Sequence, residues 1–149
     1  MIPSGDAYKT SDVDPVRSRQ EVERLLEKQG VRNFVWKRDF PENTYLAFER
    51  RFEGIDKPLY YKVQVPFVEK EIGSKWNKTA EYDEKRAYRF FYHIFKAMLQ
   101  NSEIGMDFEQ IFGNYLVIGA LPDGSPMTVQ DKITTSLMDR KNPALEFSK

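Results

Sequence analysis

One stretch of the chain decides what the rest can be. Between about residues 81 and 101, apolar side chains recur in two adjoining helical stripes. Ala87, Phe90, Phe91, Ile94 and Met98 make one, and Tyr88, Tyr92, Phe95 and Leu99 make the other. Together they cover most of a helix circumference, so this helix is central and other elements must wrap it.

The elements available to wrap it come mostly before it. Asp14 followed by Pro15 predicts an N-cap and a first helical position, because proline has no N–H to lose there. Val22, Leu25 and Leu26 then form a short apolar stripe, and Gly30 stands where a left-handed C-terminal cap belongs. Three strand-like runs follow. Residues 31–38 are rich in β-branched and aromatic side chains, and Pro41-Glu42-Asn43 supplies a turn. Residues 44–52 place Leu46, Phe48 and Phe52 on one face. Residues 59–67 alternate most cleanly: Leu59, Tyr61, Val63, Val65 and Phe67 face one way, with Tyr60, Lys62, Gln64 and Pro66 opposite. One buried and one polar face predict an antiparallel sheet, and Pro66 places the third strand at an edge or ends it.

Residues 69–79 are charged and read as a long exposed loop. Trp76 is the odd residue in it. It is expected to fold back over the core; the alternative is an exposed aromatic contact for a partner. After the central helix, Gly105 punctuates, and Asp107 with Gln110 predicts a capping box for a third helix burying Phe108, Ile111, Phe112, Tyr115 and Leu116. Residues 116–121 read equally as a short strand or a helical extension. Pro122-Asp123-Gly124 is a turn, and Thr128 with Asp131 caps a last helix through Ile133, Leu137 and Met138. The expected fold is α+β: an N-terminal helix, a three-stranded antiparallel meander, a central apolar helix and further C-terminal helices. Residues 14–139 are read as a single domain, 1–13 as a flexible arm and 140–149 as a flexible tail.

Composition narrows the chemistry. The 149 residues carry 23 Lys+Arg against 23 Asp+Glu, which argues against a generally basic nucleic-acid coater and leaves only local patches. There is no Cys and one His, so disulfides, thiolate chemistry and any scheme needing two histidines fall away. No run is apolar and long enough for a membrane span, and the N-terminus lacks a signal-peptide pattern. The expectation is a soluble cytoplasmic protein with no membrane partner and no cofactor. No phosphate loop, dinucleotide motif or nucleophile elbow is present.

The one patterned polar feature lies on the central helix. Arg86, Arg89, His93, Lys96 and Gln100 recur at spacings of three, four, three and four, with Tyr88 and Tyr92 alongside. Such a stripe reads as the wet face of a packed helix. It reads also as a cationic strip that binds phosphates, stacks bases or docks on an acidic protein surface. Arg86, Arg89, His93, Lys96, Tyr88, Tyr92 and Trp76 are therefore the candidate nucleic-acid or partner-binding residues. A helix, three strands and a helix also open the restriction-endonuclease-like core. That core needs an acid on the second strand and an acid-x-Lys set on the third to hold a metal. Glu49 supplies the first, but the third strand offers Lys62 and Gln64, in the wrong order and with an amide in place of the acid.

Residues 85–133 resemble the C-terminal half of a family of small phage and prophage proteins with the patterns R-x-x-W-R, I-K-A-K-L-E, F-E-x-x-F and L-P-D-G. Arg86, Arg89, Lys96, Ala97 and Leu99 match the first part. Ile104, Phe108, Glu109 and Phe112 match the second, and Leu121 to Gly124 with Thr128 and Val129 match the third. Ser18–Gly30 and 61–66 correspond loosely to the N-terminal half. Tyr88 and Phe90 stand near the family's tryptophan, Gln64 replaces its third-strand acid, and the segment before L-P-D-G is longer by a residue or two. The resemblance implies a virus-encoded protein acting in the cytoplasm of a bacterial or archaeal host, near DNA metabolism. It supplies no catalytic residue. The expected function is a non-enzymatic accessory protein that binds nucleic acid or a phage replication or recombination protein. The alternatives are an inhibitor of a host protein, such as a defence nuclease, and a degenerate restriction-endonuclease-like nuclease.

Overall fold

A computed structural model describes residues 13–38 and 43–138. The proposed arm and tail, and most of the expected turn at 41–43, lie outside the described residues. The expected α+β arrangement is present. Helix α1 (Pro15–Glu27) precedes strands β1 (Val31–Arg38), β2 (Thr44–Arg50) and β3 (Leu59–Gln64), which pair antiparallel in the order β1-β2-β3. Asp14 caps α1 by accepting the Val16 N–H at 2.8 Å, and Gly30 takes a φ of +79° just past its end.

Strand β1 contains a bulge. Arg32 pairs with Glu49 and Val35 with Ala47, so Asn33 and Phe34 together oppose Phe48. Asn33 takes a φ of +60°, which asparagine tolerates better than most residues, and its amide donates to Glu49. The extra residue resets the alternation, so Phe34 and Trp36 join buried Val31 on the core side although 31 and 34 differ in parity.

Helix α2 (Glu84–Leu99) lies over this sheet with α1 alongside. Its buried side chains are Ala87, Tyr88, Phe91, Phe95 and Leu99, drawn from both expected stripes. They share one core with Leu46, Phe48, Tyr61, Val63 and Val65. The centre of the buried face runs between the stripes, so Ile94 and Met98, which the first stripe would bury with Phe91, sit at its margin. The helix begins at 84 rather than 81 because Asp83 is its N-cap, accepting the Arg86 N–H at 3.2 Å. It runs on into a tight turn, Gln100–Ile104, that stops at Gly105 with φ +92°.

Three further expectations are corrected. The 69–79 region is no loop: it belongs to a hairpin of β4 (Glu69–Ser74) and β5 (Asn77–Tyr82). Phe67 does not join the core face. The strand ends at Gln64, before Pro66, and Phe67 lies half-exposed against Tyr82, their rings 5.5 Å apart. Nor is the reverse face of the sheet wholly wet. Lys62 is buried there, its amine donating to the Pro126 carbonyl at 3.1 Å and lying 4.7 Å from the Tyr45 ring.

The rest of the chain closes the core. The capping box at Asp107 and Gln110 starts a short helix, α3 (Phe108–Phe112), that inserts both phenylalanines. The Tyr61 hydroxyl donates to the Glu109 carboxylate and staples α3 to the sheet. Residues 116–121 resolve as strand: β6 (Val117–Ala120) pairs with β7 (Pro126–Thr128) across the Pro122-Asp123-Gly124 turn. Thr128 and Asp131 exchange hydrogen bonds at the start of α4 (Val129–Met138).

Candidate functional site

The fold aligns the stripe residues along α2 as their spacing requires, then consumes the arginines internally. Arg86 donates to the Glu69 carbonyl at 2.6 Å, and its Nε lies 3.8 Å from the Asp83 carboxylate. Arg89 reaches α1, where it donates to Glu21 at 2.7 Å, and it stacks over Tyr92 at 4.5 Å. Their side chains are only 13% and 15% exposed. Both guanidiniums face protein acceptors, as the reading of the stripe as one face of a packed helix requires, and the open cationic strip is the reading they do not fit. Tyr88, expected to flank the strip, is buried edge-on against Trp36 and covered by Arg19. Tyr92 is half-buried beside His93. Burial, then the charges of Arg89 and Lys96, holds His93 below its ordinary 6.5. Lys96 is exposed and lines a 260 Å³ cavity with Lys28 and Ser102, where the two lysines complement the C-terminal ends of α1 and α2.

The Arg89–Glu21 pair carries a pH signature. Burial raises the Glu21 carboxyl, but the hydrogen bonds and charges of Arg89 and Arg17 outweigh it and hold the group below 4.5. A depressed carboxylate stabilises the fold above its unfolded value and loses that contribution as pH falls through its folded value. Glu21→Gln should therefore cost about 1 kcal/mol near pH 7, discounted for partial solvent access. The gap from the parent should close as denaturation is repeated at pH values falling below 4.5. A gap independent of pH would show that the pair contributes nothing through charge.

The nuclease alternative has a single strand acid, Glu49 on β2, with Lys62 and Gln64 on β3. Glu49 accepts from Asn33, and Lys62 is held by the Pro126 carbonyl. Among the described residues no group of three or more His, Asp or Glu is placed to hold a metal. A polar cleft of 440 Å³ lies at the β1 bulge, lined by Glu27, Arg32, Asn33 and Phe34.

The feature that sequence reasoning missed is the β4–β5 hairpin. Its residues are exposed from Glu69 to Glu81, with Lys75-Trp76 as the two-residue tip. Trp76 is 90% exposed, so the expected fold-back over the core is overturned. A six-pair ladder and a two-residue turn leave the indole no path back to the core. Cations gather at the tip, with Lys75 5.8 Å from the Trp76 ring and Lys78 paired with Glu71 at 3.7 Å; the acids Glu69, Glu71 and Glu81 lie toward the base. The Tyr82 hydroxyl at the base is buried with no hydrogen-bond partner among the described residues, and burial, with the electrostatic influence of Tyr88 and Glu84, pushes it up to about 12. The signal for the hairpin was present in the alignment of Lys70 with Glu81 and in Gly73 beside the tip.

No helix among the described residues is long and apolar enough to cross a membrane. No family model matches the chain, and no curated protein or solved structure matches it.

Proposed function

We propose that this chain is a non-enzymatic accessory protein that works by protein–protein contact, and that the tip of the β4–β5 hairpin is its contact element. The observation that carries this reading is Trp76, a tryptophan held 90% exposed at the end of a projecting ribbon. Tryptophan is the side chain most enriched among residues that dominate binding energy, because it buries a large area at little conformational cost. Mixed charge along the ribbon and zero formal charge overall favour a protein partner over a nucleic-acid backbone. The engagement of Arg86 and Arg89 with Glu69 and Glu21 removes the main cations that a phosphate strip would have used. Taken with the resemblance to small phage proteins, the favoured partner is a host protein, such as a defence nuclease, or a phage replication or recombination protein, met in the host cytoplasm. Nucleic-acid binding is the second reading, favoured by Lys75 beside an indole that can stack on a base.

Photo-crosslinking in bacterial cells decides between them. A benzophenone amino acid at position 75, with Trp76 intact, should trap one discrete protein, whereas the same group at exposed Ile55 should not. Trp76→Ala should lower that yield about thirtyfold or more, as expected for loss of a dominant contact. Capture of nucleic acid alone, or a yield untouched by Trp76→Ala, would reject the protein-contact reading.

A further inference from the structure

The strands of the hairpin pack chiefly on each other, so the direction in which Trp76 points is set at the base. Three contacts meet there. The Asp83 N–H donates to the Val68 carbonyl at 2.8 Å. The Phe67 and Tyr82 rings stack 5.5 Å apart and 7° from parallel. The Arg86 guanidinium donates to the Glu69 carbonyl at 2.6 Å while its Nε faces the Asp83 carboxylate. Asp83 is also the N-cap of α2. Arg86 thus joins the first residue of β4 to the first turn of the most deeply packed helix. Six residues of strand span about 20 Å, so a rotation of about 10° at the base would carry the tip some 3 Å. An anchor side chain displaced by that distance misses its pocket, and one left mobile must be ordered at the moment of binding.

We propose that Arg86 is a positioning residue for the Trp76 contact: it fixes the angle of the hairpin against α2 and so presents the indole already oriented. This rests on the protein-contact reading of Trp76. A guanidinium suits the task because one arm of its planar fork donates to the Glu69 carbonyl while its charge faces the Asp83 carboxylate, 3.8 Å from Nε, which a lysine ammonium on a flexible stem does less well. The stripe that looked like a ligand-binding surface becomes, at this position, the mount for the element that binds.

Two measurements on the full chain test it without a known partner. Hydrogen exchange of the amides at 69–74 and 77–82 should quicken about ten- to a hundredfold in Arg86→Ala, the range expected for loss of a charged hydrogen bond. Time-resolved anisotropy of Trp76, read in a Trp36→Phe background, should show faster local motion. Arg86→Lys should fall between the parent and the alanine variant. The crosslinking yield at position 75 should fall with the loss of order. Unchanged exchange and anisotropy would show that Arg86 does not hold the hairpin. A loosened hairpin with undiminished crosslinking would overturn the positioning role and leave Trp76 as the contact. Crosslinking indifferent to Trp76→Ala would fail the underlying reading, and the positioning role with it. Should Arg86→Ala fail to fold, Phe67→Leu loosens the same joint from its other side and carries the same expectations.

Discussion

Phe91→Ala should cost about 3–5 kcal/mol, the largest loss of stability expected from any single truncation proposed for this chain. Phe91 is 1% exposed at the centre of α2, with its ring edge-on to Trp36 at 5.7 Å and to Phe95 at 4.7 Å. Removing it deletes contacts with helix, sheet and bulged strand together, and rings locked against one another cannot collapse to fill the void. Against a typical total of about 5–15 kcal/mol, that is a third or more of the stability for most of the range. The mutant's melting temperature should fall by on the order of 10 °C, with the denaturant slope unchanged. Ile94→Ala, at the margin of the same helix, should cost clearly less. Equal losses at 91 and 94, or a loss below about 1 kcal/mol at 91, would mean that the buried face of α2 is assigned wrongly.

What the sequence discloses, and what it hides, follows from which surfaces are dry. The alternation in β3 is legible because one face of the strand packs on α2, and Pro66 marks its end. The caps at Asp14, Asp107 and Thr128 are legible because each rests on residues no more than three positions apart. The bulge in β1 is harder to see, since Val31 and Phe34 cannot both face a core on a regular strand; Asn33, able to take a left-handed conformation, is its one local sign. The hairpin is nearly invisible to periodicity because water lies on both its faces and no apolar period is needed. Trp76 misleads for a related reason: tryptophan is highly buried on average, and only its place in a two-residue turn puts it in solvent. The α2 stripe is legible as a line but not in its role. The acid that claims Arg89 lies 68 residues away, and the carbonyl that claims Arg86 belongs to a strand that the charge pattern disguises as loop.

Gly73→Ala should separate function from stability. Gly73 takes a φ of +107°, where a side chain is strained, and a Cβ there would lie 2.2 Å from the Asn77 carbonyl oxygen and 3.3 Å from its carbon. Both atoms are backbone, so relief requires opening the last two rungs, Gly73 with Lys78 and Ser74 with Asn77, between which the Lys75-Trp76 turn is held. The other glycines with positive φ, at 30, 54, 105 and 124, have nothing within 4 Å of such a Cβ, so alanine there meets only the cost of the backbone conformation. At 73 the tip must come apart. Because the hairpin strands pack chiefly on each other, the core should scarcely register the change, and the melting temperature should move by no more than about 2 °C. Crosslinking from position 75 should nevertheless fall about as far as it does in Trp76→Ala, roughly thirtyfold, since a displaced indole forfeits its pocket as a missing one does. A Gly73→Ala protein that is folded and crosslinks like the parent would mean that the partner does not read the geometry of the tip, and the contact would have to be sought elsewhere on the surface.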